Sequence, residues 1–394
     1  MIKFALADTG WTLTTIADTM APPSAHPALP SEPRFAGFAP YVASINEHGT
    51  VAFQAGLEND ASGIFCGDGR TVTTLIDTRD GVVRHIFSHP AIDRRGAVSF
   101  YAELPSGQQG VFLLDQGQLR ILSAGVGAGD GSGVVAAAAG TALTAVGPLG
   151  PTMNDAGQVA FRADNSAGCA GVYLGRATAC ATVALSDERF VAFHGLPVVN
   201  RSGQVVFRAD RSPTVQGIYV ATNDSIRTVV ETGEQFVELA PFPMMNDAGA
   251  VLFGAIRPDG GAGIFMAENG FPVDGGPVRY RTLADTAAGF QSVRGALINR
   301  QGMVVYYATP VDGTLGIYFG PDPLRHRLLS IGDTLGDTLG ATPDTLFGAR
   351  IEGFALNPVS VNESGQVAIR LALDDGRQLI VRADPPGAGF PASG

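Results

Sequence analysis

Seven times along this chain one short phrase returns: Asn, two residues, Gly, one residue, Val, one residue, an aromatic, one residue, Ala. It reads Asn46-Gly49-Val51-Phe53-Ala55, Asp93-Gly96-Val98-Phe100-Ala102 and Asn154-Gly157-Val159-Phe161-Ala163. It continues as Asn200-Gly203-Val205-Phe207-Ala209, Asn246-Gly249-Val251-Phe253-Ala255 and Asn299-Gly302-Val304-Tyr306-Ala308, and ends in a degenerate copy, Asn362-Gly365-Val367-Ile369-Leu371. A phrase repeated at this interval decides the architecture before any local reading does. Each unit is too small to bury its own faces and must stack on its neighbours.

A second anchor follows each aromatic of the first six copies at a fixed distance: Gly63-Ile64-Phe65, Gly110-Val111-Phe112, Gly171-Val172-Tyr173, Gly217-Ile218-Tyr219, Gly263-Ile264-Phe265 and Gly316-Ile317-Tyr318. The seventh copy keeps Leu379-Ile380 and loses the Gly. Several copies then close an apolar run with Asp-Thr, as at Asp18-Thr19, Asp77-Thr78, Asp285-Thr286 and Asp333-Thr334. Variable gaps around this constant core place the insertions in loops.

Asn-x-x-Gly between two alternating runs reads as a hairpin turn, with the Asn side chain capping the backbone and Gly taking the left-handed position. Val-x-Phe-x-Ala has a strict period of two, so one strand face is buried and the other carries Gln54, Tyr101, Arg162 or Arg208. The run before each Asn, such as Pro197-Val198-Val199, is apolar on both faces, as an innermost strand requires. With the Asp-Thr strand, each unit holds four strands, and no stretch shows a long 3.6-residue period. The predicted fold is all-β: a seven-bladed β-propeller of four-stranded antiparallel blades.

The termini show how the ring closes. Thr12–Thr19 aligns without a gap on Thr71–Thr78, so the N-terminus carries a fourth strand with no first or second strand before it. Joined to the last copy, it completes blade seven and removes an open edge. Residues 5–9 also match a third strand and so duplicate Leu379–Arg382; the pattern does not choose between them. One domain, 1–383, is expected, with 384–394 as a Pro/Gly tail.

The phrase resembles that of a bacterial family of tandem NxxGxxAFxA-type repeat proteins, predicted propellers often found with an export signal and varied C-terminal anchors. The resemblance spans almost the whole chain and implies fold; it brings no catalytic residues. Met1–Asp8 lacks a cationic start followed by an apolar core, so a cytoplasmic location is expected, with export after signal removal as the alternative.

Composition narrows the partners. A net charge of −11 argues against nucleic acid and anionic membranes, and no apolar run reaches membrane-spanning length. A monomer binding a small molecule or a protein is expected. Cys66, Cys169 and Cys180 are an odd number; Cys169 and Cys180 either staple a local hairpin or remain free, partly buried thiols. No HExxH, paired CxxC, Gly-x-Ser-x-Gly or phosphate-cradling loop is present. His85 and His89, four apart on a strand, would lie about 13 Å from each other, too far to share a metal unless the segment bends. The repeated Asp of Asp-Thr reads as a turn cap, with a Ca²⁺ ring as the weaker alternative. No metal and no cofactor are expected.

Deviations from the repeat are the remaining guide. The segments 123–150 and 332–357 break the rhythm where a fourth strand crosses to the next blade, and read either as tolerated insertions or as pocket walls. In the loops before the inner strands stand Tyr41, His85, His89, His194, Glu238, Arg294, Arg350 and Glu352. If they rim a channel mouth, they suit a small polar or zwitterionic ligand, and Glu with His supplies an acid–base pair. The alternative is a set of unrelated solvated loop residues. Three functions stay open: a binding propeller, an enzyme acting on a small molecule in the channel, and a structural repeat protein.

Overall fold

Each Val-x-aromatic-x-Ala run is the second strand of an antiparallel sheet, and each Gly-aliphatic-aromatic run is the third. The computed structural model describes residues 3–6, 9–19, 34–40, 43–124, 143–147, 149–176, 179–187, 189–223, 225–268, 278–335 and 348–387. Its seven sheets stand in a ring and form a seven-bladed β-propeller. Blade four shows the plan, from the axis outwards: Ala192–Val199, Val205–Ser212, Val215–Ala221 and Ile226–Glu231. In several blades the inner strand is broken in two, as in blade one, where Phe35–Phe38 and Ser44–Ile45 both pair with Val51–Leu57. Among the described residues the one helical element is a single 3-10 turn, Thr78–Asp80, and no helix is long and apolar enough to cross a membrane.

The two anchors face each other. The aromatic of the second strand stacks on that of the third, with centroids 5.8 Å apart for Phe53–Phe65 and 5.7 Å for Phe161–Tyr173. Offset stacking of this kind adds about 0.5–1.5 kcal/mol beyond area burial. The Gly of the second anchor lies beneath the ring two residues on: a Cβ at Gly217 would sit 2.1 Å from Tyr219 Oη, and one at Gly263 would sit 2.7 Å from Phe265. Any side chain there displaces the ring.

The opposite face of the second strand is covered as well. Gln54 Nε2 donates to the Ile86 carbonyl at 2.8 Å, Arg162 Nη1 to the Gly195 carbonyl at 2.8 Å, and Arg208 Nε to the Leu239 carbonyl at 3.2 Å. Each of these side chains pins the inner strand of the next blade. Period two alone cannot show this, because it describes one sheet and the blades stack face to face.

Blade seven closes as the termini predict. Its order from the axis is Ile351–Ala355, Val367–Leu373, Gln378–Asp384, Thr12–Asp18 and Lys3–Ala5. Leu379–Arg382 is thus the third strand, and Lys3–Ala5 adds a fifth strand on the outside; of the expected duplicate 5–9, only Ala5 belongs to it, and residues 7 and 8 are outside the described ones. Trp11, Leu13 and Ile16 are buried, and Trp11 packs on Phe319 of blade six with centroids 5.5 Å apart. Asp384 pairs with Thr12, so the blade runs one residue past the expected boundary; residues 388–394 lie outside the described ones. The three cysteines are free. Cys180 pairs opposite Gly175, at the far end of a strand from Cys169, so roughly 20 Å of extended chain separates the thiols.

Candidate ligand site at the axial channel

The Asn turns build one end of the channel. Asn46 Oδ1 accepts the N–H groups of His48 at 3.0 Å and Thr50 at 3.1 Å, while Gly49, at φ +75°, donates its N–H to the Asn46 carbonyl. This use of Oδ1 leaves the amide Nδ2 to reach the next blade. Asn46 donates to the Asp93 carbonyl (3.2 Å), Asn154 to Asn200 (2.8 Å), Asn299 to Asn362 (3.0 Å) and Asn362 to Asn46 (2.9 Å). The motif Asn therefore caps its own turn and ties that turn to its neighbour around the axis.

Two rings follow from the residues on either side. The position before the motif residue is apolar in all seven copies: Ile45, Ile92, Met153, Val199, Met245, Ile298 and Val361. The position after it is charged in all seven: Glu47, Arg94, Asp155, Arg201, Asp247, Arg300 and Glu363. All fourteen line one cavity of about 150 Å³ on the channel axis. Around the ring the signs alternate, except where Glu363 meets Glu47.

The charged ring is unevenly paired. Arg300 reaches Asp155 at 2.9 Å, Asp247 at 2.7 Å and Glu363 at 3.5 Å, so its side chain crosses from blade six towards blade three. Arg201 lies 3.5 Å from Asp155 and 3.7 Å from Asp247. Backbone N–H groups complete the arrangement: Arg94 donates to Asp155, Arg201 to Asp247, Arg300 to Glu363, and Glu363 to Glu47. Burial pushes the Asp155 carboxyl up, but the Arg94 N–H and Arg300 more than reverse this and hold it below the usual carboxylate range. At Glu47 burial wins over the Glu363 N–H, Arg300 and Arg94, and its carboxyl is raised. Glu363 is raised by burial too, with Glu47 beside it adding to the shift. Among the described residues no ion pair within 4 Å engages Glu47 or the exposed Arg94 guanidinium.

The described residues among those picked out as loop deviations lie elsewhere, and none of them lines this cavity. They sit on or beside the half of each inner strand that follows a blade crossing, and the Asn turns lie at the opposite end. Tyr41 is outside the described residues. His85 is exposed, opposite Glu103. His89 is buried against Gly150, its Nε2 has no hydrogen-bond partner among the described residues, and burial pushes its imidazole down to about 4. His194 Nε2 meets Asp210 at 2.7 Å; Arg208 also pairs with Asp210, at 3.2 Å, and feels the charge of Glu238. Arg294 lies over the Tyr307 ring at 5.5 Å, the Arg350 N–H donates to Asp374, and Glu352 is exposed. The structure brings His194 and Glu238 to one arginine and leaves the others apart. Residues 125–142 and 336–347, the centres of the two insertions, are outside the described residues. The Asp-Thr carboxylates serve their own turns: Asp77 accepts the Arg79 N–H, Asp285 the Ala287 N–H and Asp333 the Ser330 N–H.

Sequence reasoning missed the charged ring, although its signal is plain once the copies are aligned. The residue after the motif Asn reads as part of a solvated turn in any single copy. Only the column of seven shows charge at every position.

A family model described as a family of unknown function, DUF7453, matches residues 19–256, more than half of the chain. No curated protein matches by sequence. Among solved structures, an oligogalacturonate lyase from Vibrio parahaemolyticus is similar at a TM-score of 0.56 and 10% identity, over 98% of this chain and 96% of that one. An oligogalacturonate lyase in complex with manganese is similar at 0.53 and 10% identity, over 98% and 97%. A puromycin-hydrolyzing peptidase of Mycobacterium tuberculosis is similar at 0.52 and 15% identity, over 96% of this chain and 55% of that one. The chain also spans about half the length of a prolyl endopeptidase (50%) and of the PorZ surface component of Porphyromonas gingivalis (47%). Identities this low speak to the propeller fold alone.

Proposed function

The chain belongs to the DUF7453 family, whose function is unknown, and we propose that it is a binding propeller that takes a small polar ligand at the turn-side mouth of its axial channel. One observation carries the reading: the charged ring stands over an apolar collar and leaves a carboxylate and a guanidinium, Glu47 and Arg94, without ion-pair partners among the described residues. A ring serving only to seal the channel would pair its charges throughout, since an unmatched half-buried carboxylate opposes folding. Concave sites with an apolar wall and a few converging polar groups are the usual form of a small-ligand pocket.

The test is equilibrium dialysis against a defined mixture of organic acids, amines, amino acids and sugars, read by mass spectrometry. The wild-type chain enriches at least one component, and a Glu47→Gln/Arg94→Gln double variant does not. Equal enrichment by both proteins, or none by either, contradicts the reading.

A second reading, an enzyme working at the crossing-side mouth, draws on the His194–Asp210 pair. A carboxylate that orients a half-exposed imidazole is what a general base requires. Hydrolase or lyase turnover abolished by His194→Gln would favour it over the binding module.

A further inference from the structure

Resting on the binding reading above, we infer that the ligand is a zwitterion with an apolar side group, of the α-amino-acid type. Its carboxylate would sit on Arg94, its ammonium on Glu47 and Glu363, and its side group on the collar below. The argument starts from the break in alternation. Six of the seven neighbouring pairs in the ring join opposite charges; Glu363 and Glu47 are the exception, and they meet beside the unpaired Arg94.

The other four members of the ring are committed to one another, and Glu363 is engaged on one side by Arg300. Arg300 is spread over Asp155, Asp247 and Glu363, and Arg201 shares two of the same carboxylates. Arg300 thereby occupies the sector of blades three to six and leaves open the sector where Glu363 meets blades one and two. That sector offers a net positive group next to a net negative one, at adjacent ring positions. Arg94 is near enough to act on the Glu47 carboxyl, yet among the described residues forms no ion pair with it.

A simple anion would meet Arg94 but would also face Glu47 and Glu363 across the opening. A simple cation would meet the two glutamates but leave Arg94 unmatched. A molecule carrying both charges a few bonds apart satisfies both, and charge-assisted hydrogen bonds of this kind are the stronger class. Beside the charged ring, Ile45, Ile92, Met153 and Val361 supply the apolar part of the lining, and a cavity of about 150 Å³ has room for a small aliphatic side chain.

Isothermal titration with three probes separates the possibilities: L-leucine, 4-methylpentanoate (leucine without its ammonium) and isopentylamine (leucine without its carboxylate). Leucine is expected to bind the wild-type chain, with each half-ligand at least about tenfold weaker, and Arg94→Gln and Glu47→Gln each to weaken leucine by about tenfold or more. Both variants should melt near the wild type, which circular dichroism checks. If 4-methylpentanoate or isopentylamine binds as tightly as leucine and one of the two variants loses it, the zwitterion is wrong and the site stands. If no probe binds the wild-type chain, the zwitterion class is overturned, and the dialysis experiment alone then decides the site. Leucine binding that both variants retain overturns the site itself.

Discussion

Asn362 Nδ2 donates to the Asn46 carbonyl at 2.9 Å although the two residues lie 316 positions apart in sequence. Beside this bond, Ser360 Oγ donates to the Ala43 carbonyl at 2.6 Å, and the Ile45 N–H donates to the Val359 carbonyl. Blade seven is thus tied to blade one at the axis by polar bonds, and at its outer edge by the pairing of Thr12–Asp18.

Replacing Asn362 by Asp keeps the Oδ acceptors that cap the turn and removes the amide donor to blade one. The substitution leaves the Asn46 carbonyl without that buried partner, so a loss of about 1–3 kcal/mol is expected in urea unfolding. Asn362→Ala removes the cap as well and should cost more. Equal stability of Asn362→Asp and wild type would show that the inter-blade amide contributes nothing.

Leu13 is fully buried in the closing strand, and Leu13→Ala should destabilise by about 2–5 kcal/mol. Deletion of residues 1–19 removes the whole strand and exposes the edge of Gln378–Asp384, so aggregation on size exclusion is expected. Trp11 is the chain's one tryptophan and is absent from the truncated chain, so in the full-length Leu13→Ala variant its emission should shift to the red as this strand unfolds. A truncated chain that stays monomeric and melts like the full one would contradict the closure.

His89 makes stability pH-dependent. Burial lowers its folded-state value to about 4, below the ordinary 6.5. Between these values the unfolded chain binds a proton that the folded chain refuses. The contribution is therefore fully present above about pH 6.5 and is lost as pH falls towards 4, up to about 3 kcal/mol in all. His89→Gln should flatten this part of the profile of unfolding free energy against pH. A variant with the wild-type slope would rule out His89 as the source.

Arg300 holds three carboxylates at the mouth, so Arg300→Met leaves Glu363 without its ion pair and Asp155 and Asp247 with the more distant Arg201 alone. A loss of about 1–3 kcal/mol at low salt is expected, partly recovered by added salt or mild acid. No salt dependence of the difference from wild type would mean that repulsion among these acids is not its cause.

Strand order and closure are legible in the chain because they rest on local chemistry. Asn46-Gly49 specifies a turn, Phe53 and Phe65 lie at a spacing that makes them face, and Thr12–Thr19 lacks the strands that should precede it. The site is less legible because it is assembled from single residues of seven different blades. Glu47 in its own copy is one charge in a turn; it becomes part of a site only when the ring brings Arg94 and Glu363 beside it. His89 stands out as an imidazole in a loop, yet the same loop turns it inward against Gly150, which no spacing rule shows. Arg162 and Arg208 mislead in the opposite sense, since on one strand they mark a polar face and between two blades they are latches.

The central claim is that the open sector of the charged ring is a ligand site, and arginine-selective labelling with phenylglyoxal followed by peptide mass spectrometry tests it most directly. In the free protein Arg94 should react readily and Arg300, held by three carboxylates, slowly. With a saturating mixture of small zwitterions, Arg94 should become protected while Arg211, on the outside of blade four, keeps its rate. Unchanged labelling of Arg94, or equal slowing of Arg94 and Arg211, would contradict the account.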